Sequence, residues 1–168
     1  MNARNPLRWL STVLLALSAT GAAAESPQDF APVAERADAI RVYKSERKMD
    51  LLRGNEIIRS YRVRLGGAPV GPKREQGDLR TPEGEYRISY RNSASRFHLS
   101  LRVSYPNADD LRQARARGVD PGGDIMIHGG SSPDDFRDWT EGCIAVSNAE
   151  IEEIWRLVPV GTPVRIEP

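Results

Sequence analysis

Two reactive side chains stand close together in the sequence, Cys143 and His128. Cys143 is the single cysteine of the 168-residue chain and directly follows Gly142, whereas His128 ends an apolar run a short loop upstream. A thiolate attacks acyl carbonyls, and an imidazole can take the thiol proton or hold the thiolate in an ion pair. The two residues therefore form a candidate nucleophile and general base, provided that the fold brings them together. The alternative is a buried, inert cysteine that packs as a small apolar side chain.

The residues around the thiol fit acyl chemistry in two further ways. Gly142 lets the backbone turn sharply, and the backbone N–H groups near Gly142 and Cys143 are candidate donors to the oxyanion of a tetrahedral intermediate. The loop between His128 and Cys143 is rich in Gly, Ser, Pro and Asp, so it can fold back and bring the two side chains together. His98, the second histidine, either lines the same cleft or lies on the surface.

The composition argues against several other functions. The chain has 24 Lys and Arg and 23 Asp and Glu, which gives no electrostatic basis for binding nucleic acid. Two histidines and one cysteine at unrelated spacings do not match a zinc site. Asp134, Asp135 and Asp138 lack the order of a calcium-binding loop. We therefore predict no metal site.

The first 24 residues are typical of a secretory signal peptide. Arg4 and Arg8 supply a positive region, residues 9–19 are apolar, and three alanines at 22–24 offer a cleavage site. The apolar run is shorter than the roughly 20 residues that a membrane span needs. We expect export to the periplasm or cell envelope, with no stable membrane insertion after cleavage; a retained N-terminal anchor is the alternative. A solitary thiol in such an oxidising compartment is either buried or used.

The remaining chain predicts a short linker over residues 25–37 and one domain over residues 38–168. Alternation predicts strands over residues 40–43, 49–52, 57–65, 85–90, 97–105, 124–128 and 162–166. Helices are expected over residues 107–118 and 147–157, each with a capping residue at its start. The result is a β-rich α+β fold. In strand 97–105, Phe97 is expected on the apolar face and Ser100 on the polar face. Residues 66–84, rich in Gly and Pro, predict a long ordered loop with a function.

These segments resemble the L,D-transpeptidase catalytic domain, of the YkuD type. The family pattern is His-Gly, a loop, Ser/Thr-x-Gly-Cys, an apolar residue and an Asn shortly after. Here it reads His128-Gly129, then Thr-Glu-Gly-Cys-Ile at 140–144, then Asn148. Residues 77–86 (Gly-Asp-Leu-Arg-Thr-Pro-Glu-Gly-Glu-Tyr) resemble the family's Thr-Pro-x-Gly-x-Tyr segment. The resemblance covers residues 38–168, and two separate motifs in the right order make it specific.

The resemblance implies a β-sandwich-like or barrel-like fold with two peripheral helices, and an exported enzyme of cell-wall peptidoglycan. By position, it implies Cys143 as the nucleophile and His128 as the general acid and base. Thr140, Gly142 and Gly129 are implied to shape the site and its oxyanion donors.

Substrate-binding residues are not fixed by the motifs, and His98 and Asn148 are the candidates. In the implied reaction, Cys143 attacks the carbonyl of the third residue of a stem peptide, a diamino acid, and expels D-alanine. An amine of a second stem peptide, or of a lysine in an envelope lipoprotein, then takes the acyl group. With water as the acceptor, the same site would be an L,D-peptidase or amidase. No metal or organic cofactor is implied. A wall-binding module with an inactive site is the non-enzymatic alternative.

The motif departs from the family pattern at two positions. Glu141 stands where many members have His, and Ala145 stands where many have Arg. The absence of that cation could change how a substrate carboxylate is held. A subgroup with Gly-Cys-Ile-Ala-Val around the nucleophile is expected to include enzymes that cleave such links. Transfer and hydrolysis therefore both stay open.

Overall fold

The computed structural model describes residues 30–168, so the predicted signal peptide and residues 25–29 of the predicted linker lie outside the described residues. Over this part the chain forms strands, two α-helices and one 3₁₀ turn, Val33–Glu35. The strands are β1 (Ala39–Tyr43), β2 (Lys48–Arg53), β3 (Glu56–Arg62), β4 (Gly84–Ser95), β5 (His98–Val103), β6 (Met126–His128), β7 (Ile144–Ala145) and β8 (Pro163–Glu167). The helices are α1 (Ala108–Arg117) and α2 (Asn148–Leu157).

The strands form one mixed sheet in the order β3-β2-β1-β8-β4-β5-β6-β7. The pairs β1–β8 and β6–β7 are parallel, and the other neighbours are antiparallel. The chain that leaves β3 then reaches the opposite edge of the sheet, where Arg64 bridges Ala145 and Gly66 bridges Thr140. These bridges close the curled sheet into a barrel. The predicted β-rich α+β, barrel-like fold is confirmed.

Helix α2 covers one side of the sheet and lies against β5 and β6. Its buried residues are Ile151, Ile154, Trp155 and Leu157, which form the apolar face that the sequence predicts. The Ser147 side chain accepts from the Glu150 N–H, and the Glu150 carboxylate accepts from the Ser147 N–H, so the predicted capping box is present. The helix is fixed at its start, close to the end of β6.

Helix α1 is peripheral, with Ala114 as its buried residue. The Asn107 side chain caps it by accepting from the N–H groups of Asp109 and Asp110, and Gly118 ends it in the left-handed conformation. Both ends of this helix agree with the sequence prediction.

Several strand limits differ from the prediction. β3 ends at Arg62, because the chain then leaves β2 to bridge β7. β4 runs on to Ser95, because its first half pairs with β8 and its second half with β5. β5 begins at His98, and Ser100 is buried rather than exposed. A strand in a closed barrel has both faces covered in places, so alternation of residue types does not mark its ends.

The end of the predicted linker packs against the domain. The N–H groups of Ala31 and Ala37 donate to the carbonyls of Arg156 and Leu157 at 3.0 and 2.9 Å. The Arg91 guanidinium lies 4.0 Å from the ring centroids of Phe30 and Trp155. Residues 30–37 are therefore part of the packed structure.

Residues 68–84 form an ordered loop that a buried lysine holds in place. Lys44 Nζ donates to the carbonyls of Gly71 and Thr81 at 2.6 and 2.9 Å and pairs with Glu83 at 2.8 Å. Burial lowers the pKa of Lys44, and the Glu83 carboxylate partly offsets this effect.

A second anchor of the same loop is the Asp78 carboxylate. It accepts from the backbone N–H groups of Arg74, Glu75 and Arg80 and from Lys73 Nζ at 2.8 Å. Each carboxylate oxygen of Asp78 therefore has two donors. These hydrogen bonds fix the conformation of the turn that follows Lys73.

The two helices of residues 30–168 are both too short and too polar to cross a membrane.

The buried lysine gives a stability prediction. Lys44→Met removes the cation from Glu83 and leaves two loop carbonyls without a donor, so we expect a loss of about 3 kcal/mol in the free energy of unfolding. Arg165→Met is the control, because Arg165 pairs with Glu85 at the surface and should cost less than about 1 kcal/mol. Urea unfolding measures both. Equal losses would show that Lys44 does not anchor the loop.

Candidate active site

The parallel pairing of β6 and β7 places Cys143 and His128 on one face. Ile127 pairs with Ile144 and His128 with Ala145, so Cys143 is level with Met126 on the neighbouring strand. Side chains two residues apart on a strand point to the same side. From standard strand spacings, the Cα atoms of Cys143 and His128 are about 8 Å apart. The fold thus brings together the two residues on which the functional hypothesis depends.

Both side chains line one cavity of about 550 Å³. Its walls come from the end of β4, from β5, from the segment that leads into β6, and from the loop before β7. Apart from Cys143 and His128, the lining residues are Asn92, Ala94, Ser95, Arg96, Phe97, Ser100, Asp124, Met126, Trp139, Thr140 and Glu141. The cavity is large enough for a short peptide, and the thiol can be reached from it.

The sulfur of Cys143 is held by the backbone that leads into β6. The Met126 N–H donates to Sγ at 3.4 Å, and the thiol donates to the Asp124 carbonyl at 3.6 Å. Burial raises the pKa of Cys143, and the carboxylates of Glu141 and Asp124 raise it further, against the opposite effect of the Met126 N–H. The thiol is therefore protonated at neutral pH.

His128 is buried and its ring is held on three sides. It stacks on Phe97 with ring centroids 4.4 Å apart and meets the edge of Trp139 at 5.7 Å. Its Nδ1 lies 2.6 Å from the Gly129 carbonyl, which can only accept, so the proton of the neutral ring is on Nδ1. Nε2 is then the basic nitrogen. Burial lowers the pKa of His128, and the Gly129 contact partly offsets this effect.

The two pKa shifts oppose a thiolate–imidazolium pair in the free protein. The Cys143 pKa is raised and the His128 pKa is lowered, both mainly because burial disfavours the charged form. Of the two roles that the sequence allows for the imidazole, these directions favour removal of the proton from a neutral thiol. The arrangement suits general-base catalysis, in which the proton moves as the substrate is attacked.

Thr140 and Gly142 fix the turn that carries the nucleophile. The Thr140 hydroxyl donates to the Cys143 carbonyl at 2.7 Å and accepts from the Gly142 N–H at 3.2 Å. Gly142 has φ +124°, and a Cβ there would lie 2.6 Å from the Arg80 carbonyl oxygen. A larger residue at position 142 would therefore meet backbone, and Thr140 and Gly142 together fix the conformation of the turn.

The candidate oxyanion donors differ in their availability. The Gly142 N–H is already bonded to Thr140. Within residues 30–168, the Cys143 N–H donates to no group. It is therefore the donor that remains for a developing oxyanion.

Gly129 and Asn148 join the end of β6 to helix α2. A Cβ on Gly129 would lie 2.7 Å from Asn148 Oδ1, 2.8 Å from the Phe97 carbonyl oxygen and 2.9 Å from Ile151. Asn148 Oδ1 also accepts from the Gly130 N–H at 2.8 Å. Gly129 shapes the site through this close packing, and Asn148 does not line the cavity that holds the sulfur.

His98 also lies away from that cavity. Its Nε2 is 2.6 Å from the Glu152 carboxylate of α2, on the surface. The start of α2 lies against Gly130 and Ser131 in a separate depression that does not include Cys143. Neither of the two substrate-binding candidates from the sequence, His98 and Asn148, is brought to the thiol.

A second cavity of about 410 Å³ is also lined by Cys143. It is lined by the 68–84 loop, by the segment before β6 and by Glu141. Glu141, Asp124 and Cys143 belong to both cavities. Cys143 therefore lies where the two cavities adjoin.

The sequence reasoning missed two aromatic residues of the site. Phe97 was expected in the core, but it is partly exposed and covers the His128 ring. Trp139 lies in the loop before Cys143, and its Nε1 donates to Ser131 at 3.2 Å. A tryptophan in an otherwise polar loop next to the thiol was the available signal. Over residues 30–168 no group of three potential ligands is arranged to hold a metal ion.

The pKa shift of the thiol predicts its reactivity. The rate of alkylation of Cys143 by iodoacetamide should rise with pH, with a midpoint above 9.0, the ordinary thiol pKa. Mass spectrometry of the intact protein follows the reaction without ambiguity, because the chain has one cysteine. A midpoint below pH 8 would demonstrate a preformed ion pair and contradict this description.

The close packing at Gly129 predicts a second outcome. Gly129→Ala puts a methyl group against two oxygen atoms and a side chain, so we expect a loss of about 1–3 kcal/mol in the free energy of unfolding. Gly123→Ala is the matched control, since nothing lies within 4 Å of its added Cβ. Thermal or urea unfolding gives both values. A Gly129→Ala protein as stable as Gly123→Ala would refute the contact.

Known proteins share this sequence and architecture. Residues 37–166 match the family model of the YkuD L,D-transpeptidase catalytic domain. The Escherichia coli (strain K12) protein named "Putative L,D-transpeptidase YafK" is 33% identical over 126 residues, which cover 71% of this chain and 46% of that protein. The chain thus spans about half the length of the curated relatives that it matches.

Solved structures agree in fold. The helical cell shape determining protein Pgp2 (K307A mutant) from Campylobacter jejuni gives a TM-score of 0.62 at 20% identity, over 86% of this chain and 51% of that one. Bdellovibrio bacteriovorus Bd1075 gives 0.58 at 25% identity, over 83% and 50%. An L,D-transpeptidase from Mycobacterium smegmatis gives 0.53 at 14% identity, over 79% and 59%. By family model and by relative, the chain belongs to the L,D-transpeptidase catalytic domain family.

Proposed function

We propose that this protein is an exported cysteine acyl-transferase that acts on peptidoglycan stem peptides through a thioester on Cys143. The observation that carries the proposal is the shared cavity of Cys143 and His128, with a second cavity that reaches the same sulfur. Membership of the L,D-transpeptidase family supplies the substrate class.

In the first step, His128 Nε2 takes the thiol proton while Sγ attacks the carbonyl of the diamino acid at the third position of the stem peptide. The carbonyl oxygen becomes an oxyanion, and the Cys143 N–H is placed to donate to it. The C–N bond to the fourth residue then breaks, and the imidazolium returns its proton to the leaving amine of D-alanine. The product is a thioester, and His128 is again neutral.

In the second step, an amine attacks the thioester and passes its proton to His128. The new C–N bond forms, the C–S bond breaks, and the thiolate takes the proton back from the imidazolium. Two cavities beside one sulfur suit this sequence, because an acceptor can enter without the acyl chain leaving its own space. The acceptor amine belongs to another stem peptide or to a lysine of an envelope lipoprotein. This chemistry requires export to the periplasm or cell envelope.

Hydrolysis is the second candidate, and one observation favours it. The second cavity is lined by polar and small residues such as Gln76, Gly122 and Gly123, and its volume of about 410 Å³ leaves room for water beside Cys143. With water as the acceptor, the thioester gives a free acid, and the protein is an L,D-peptidase or amidase that cleaves stem peptides or protein–peptidoglycan links. The products separate the two cases.

The test incubates the purified protein with cell-wall digests and identifies the products by mass spectrometry. Cross-linked dimers or peptide–lysine adducts support transfer, and trimmed monomers or released protein support hydrolysis. Cys143→Ala should give neither, whereas His128→Ala should slow acylation by about 100-fold or more, because it lacks the base. Product formation by folded Cys143→Ala, or a His128→Ala rate within twofold of the unmodified protein, would overturn the mechanism.

A further inference from the structure

Glu141 lies where the two cavities beside Cys143 meet. Its side chain is exposed and lines both of them. Within the described chain, its carboxylate forms no hydrogen bond and no ion pair. It is therefore an exposed carboxylate at the edge of both cavities, with its hydrogen-bonding capacity free.

Two charged residues that share a cavity with Glu141 already have partners, and a third, Arg96, lies over the Phe97 ring at 5.9 Å from its centroid. Asp124, which also lines both cavities, pairs with Arg102 at 3.0 Å. Lys73, in the wall of the second cavity, donates to Asp78 at 2.8 Å and to the Glu75 carbonyl at 3.0 Å. No protein cation is thus committed to Glu141 in residues 30–168.

The Glu141 charge also acts on the reacting atom. Burial is the main reason why the pKa of Cys143 is raised, and the Glu141 carboxylate adds to that effect through its charge. An anion at this position makes the thiolate harder to form. Such a residue is a disadvantage for the thiol unless a positive group of the substrate neutralises it.

We propose that Glu141 is a specificity-determining residue that binds a protonated amine of the substrate, the free side-chain amine of a diamino acid. This inference rests on the proposed function, which places a diamino acid at the carbonyl attacked by Cys143. A bound ammonium group would pair with Glu141 and remove its effect on the thiol, so that recognition and activation of the nucleophile are linked. The histidine that many family members carry at this position cannot attract an ammonium group in this way.

The experiment measures binding, so that it does not depend on turnover. The host is the Cys143→Ala protein, and the probes are a synthetic tripeptide that ends in a diamino acid and the same tripeptide acetylated on its side-chain amine. Titration calorimetry at low salt should give a dissociation constant about fivefold lower for the free amine than for the acetylated peptide. The preference should shrink as salt is added. Adding Glu141→Gln should abolish it.

Glu35→Gln in the same host is the control, because Glu35 is an exposed carboxylate in the 3₁₀ turn, outside both cavities. The proposal is overturned if the free amine is not preferred, if Glu141→Gln keeps the preference, or if Glu35→Gln loses it as well. Loss of the preference in Glu141→Gln alone supports it. If the preference depends on Glu141 but the unmodified protein forms no product from cell-wall digests, the recognition role stands and the acyl-transfer function fails. If the unmodified protein turns over normally but shows no preference for the free amine, the acyl-transfer function stands and the recognition role of Glu141 fails.

Discussion

The pairing of β6 with β7 is the constraint on which the site depends. It sets Cys143 level with Met126, and because side chains alternate along a strand, it also sets Cys143 and His128 on the same side of the sheet. A shift of one residue would turn the thiol to the opposite face. The short β7 is held on both sides, since Ala145 also exchanges two hydrogen bonds of 2.8 Å with Arg64 where the barrel closes. The contacts of β7 therefore both close the barrel and align the two reactive groups.

The protonation states of Cys143 and His128 follow from their position in the fold. Both groups are surrounded by protein, so the charged forms of both are disfavoured. Oxidation of a thiol depends on its thiolate share, so a neutral Cys143 is protected in an oxidising compartment. In the mechanism that we propose, the thiolate is then produced only when a substrate carbonyl is present to receive it. Phe97 and Trp139, which enclose the imidazole, maintain its neutrality by keeping water away from the ring.

Local chemistry made several features predictable from the sequence. The caps at Asn107 and Ser147 and the apolar face of α2 follow from nearest neighbours along the chain, and all three are present. The Cys143–His128 pair was predictable because few other residues could do the chemistry. What could not be predicted depends on contacts between distant segments. Phe97 was assigned to the core by alternation, but the barrel turns it toward the cavity. The pKa shifts of His128 and Cys143 could not be predicted either, because the burial that causes them is a property of the closed fold.

The loop over residues 68–84 forms a wall of the second cavity and is anchored at several points. Lys44 and Asp78 hold it by several hydrogen bonds each, and its Gln76 N–H donates to the Asp120 carbonyl at 2.8 Å. Its backbone at Arg80 lies so close to Gly142 that a Cβ there would meet the Arg80 oxygen at 2.6 Å. The loop therefore packs directly against the turn that carries Cys143. Moving the loop away would remove this support from the turn. The two sequence motifs, one ending this loop and the other containing Gly142, are thus the two sides of one contact, which explains why a glycine must precede the cysteine.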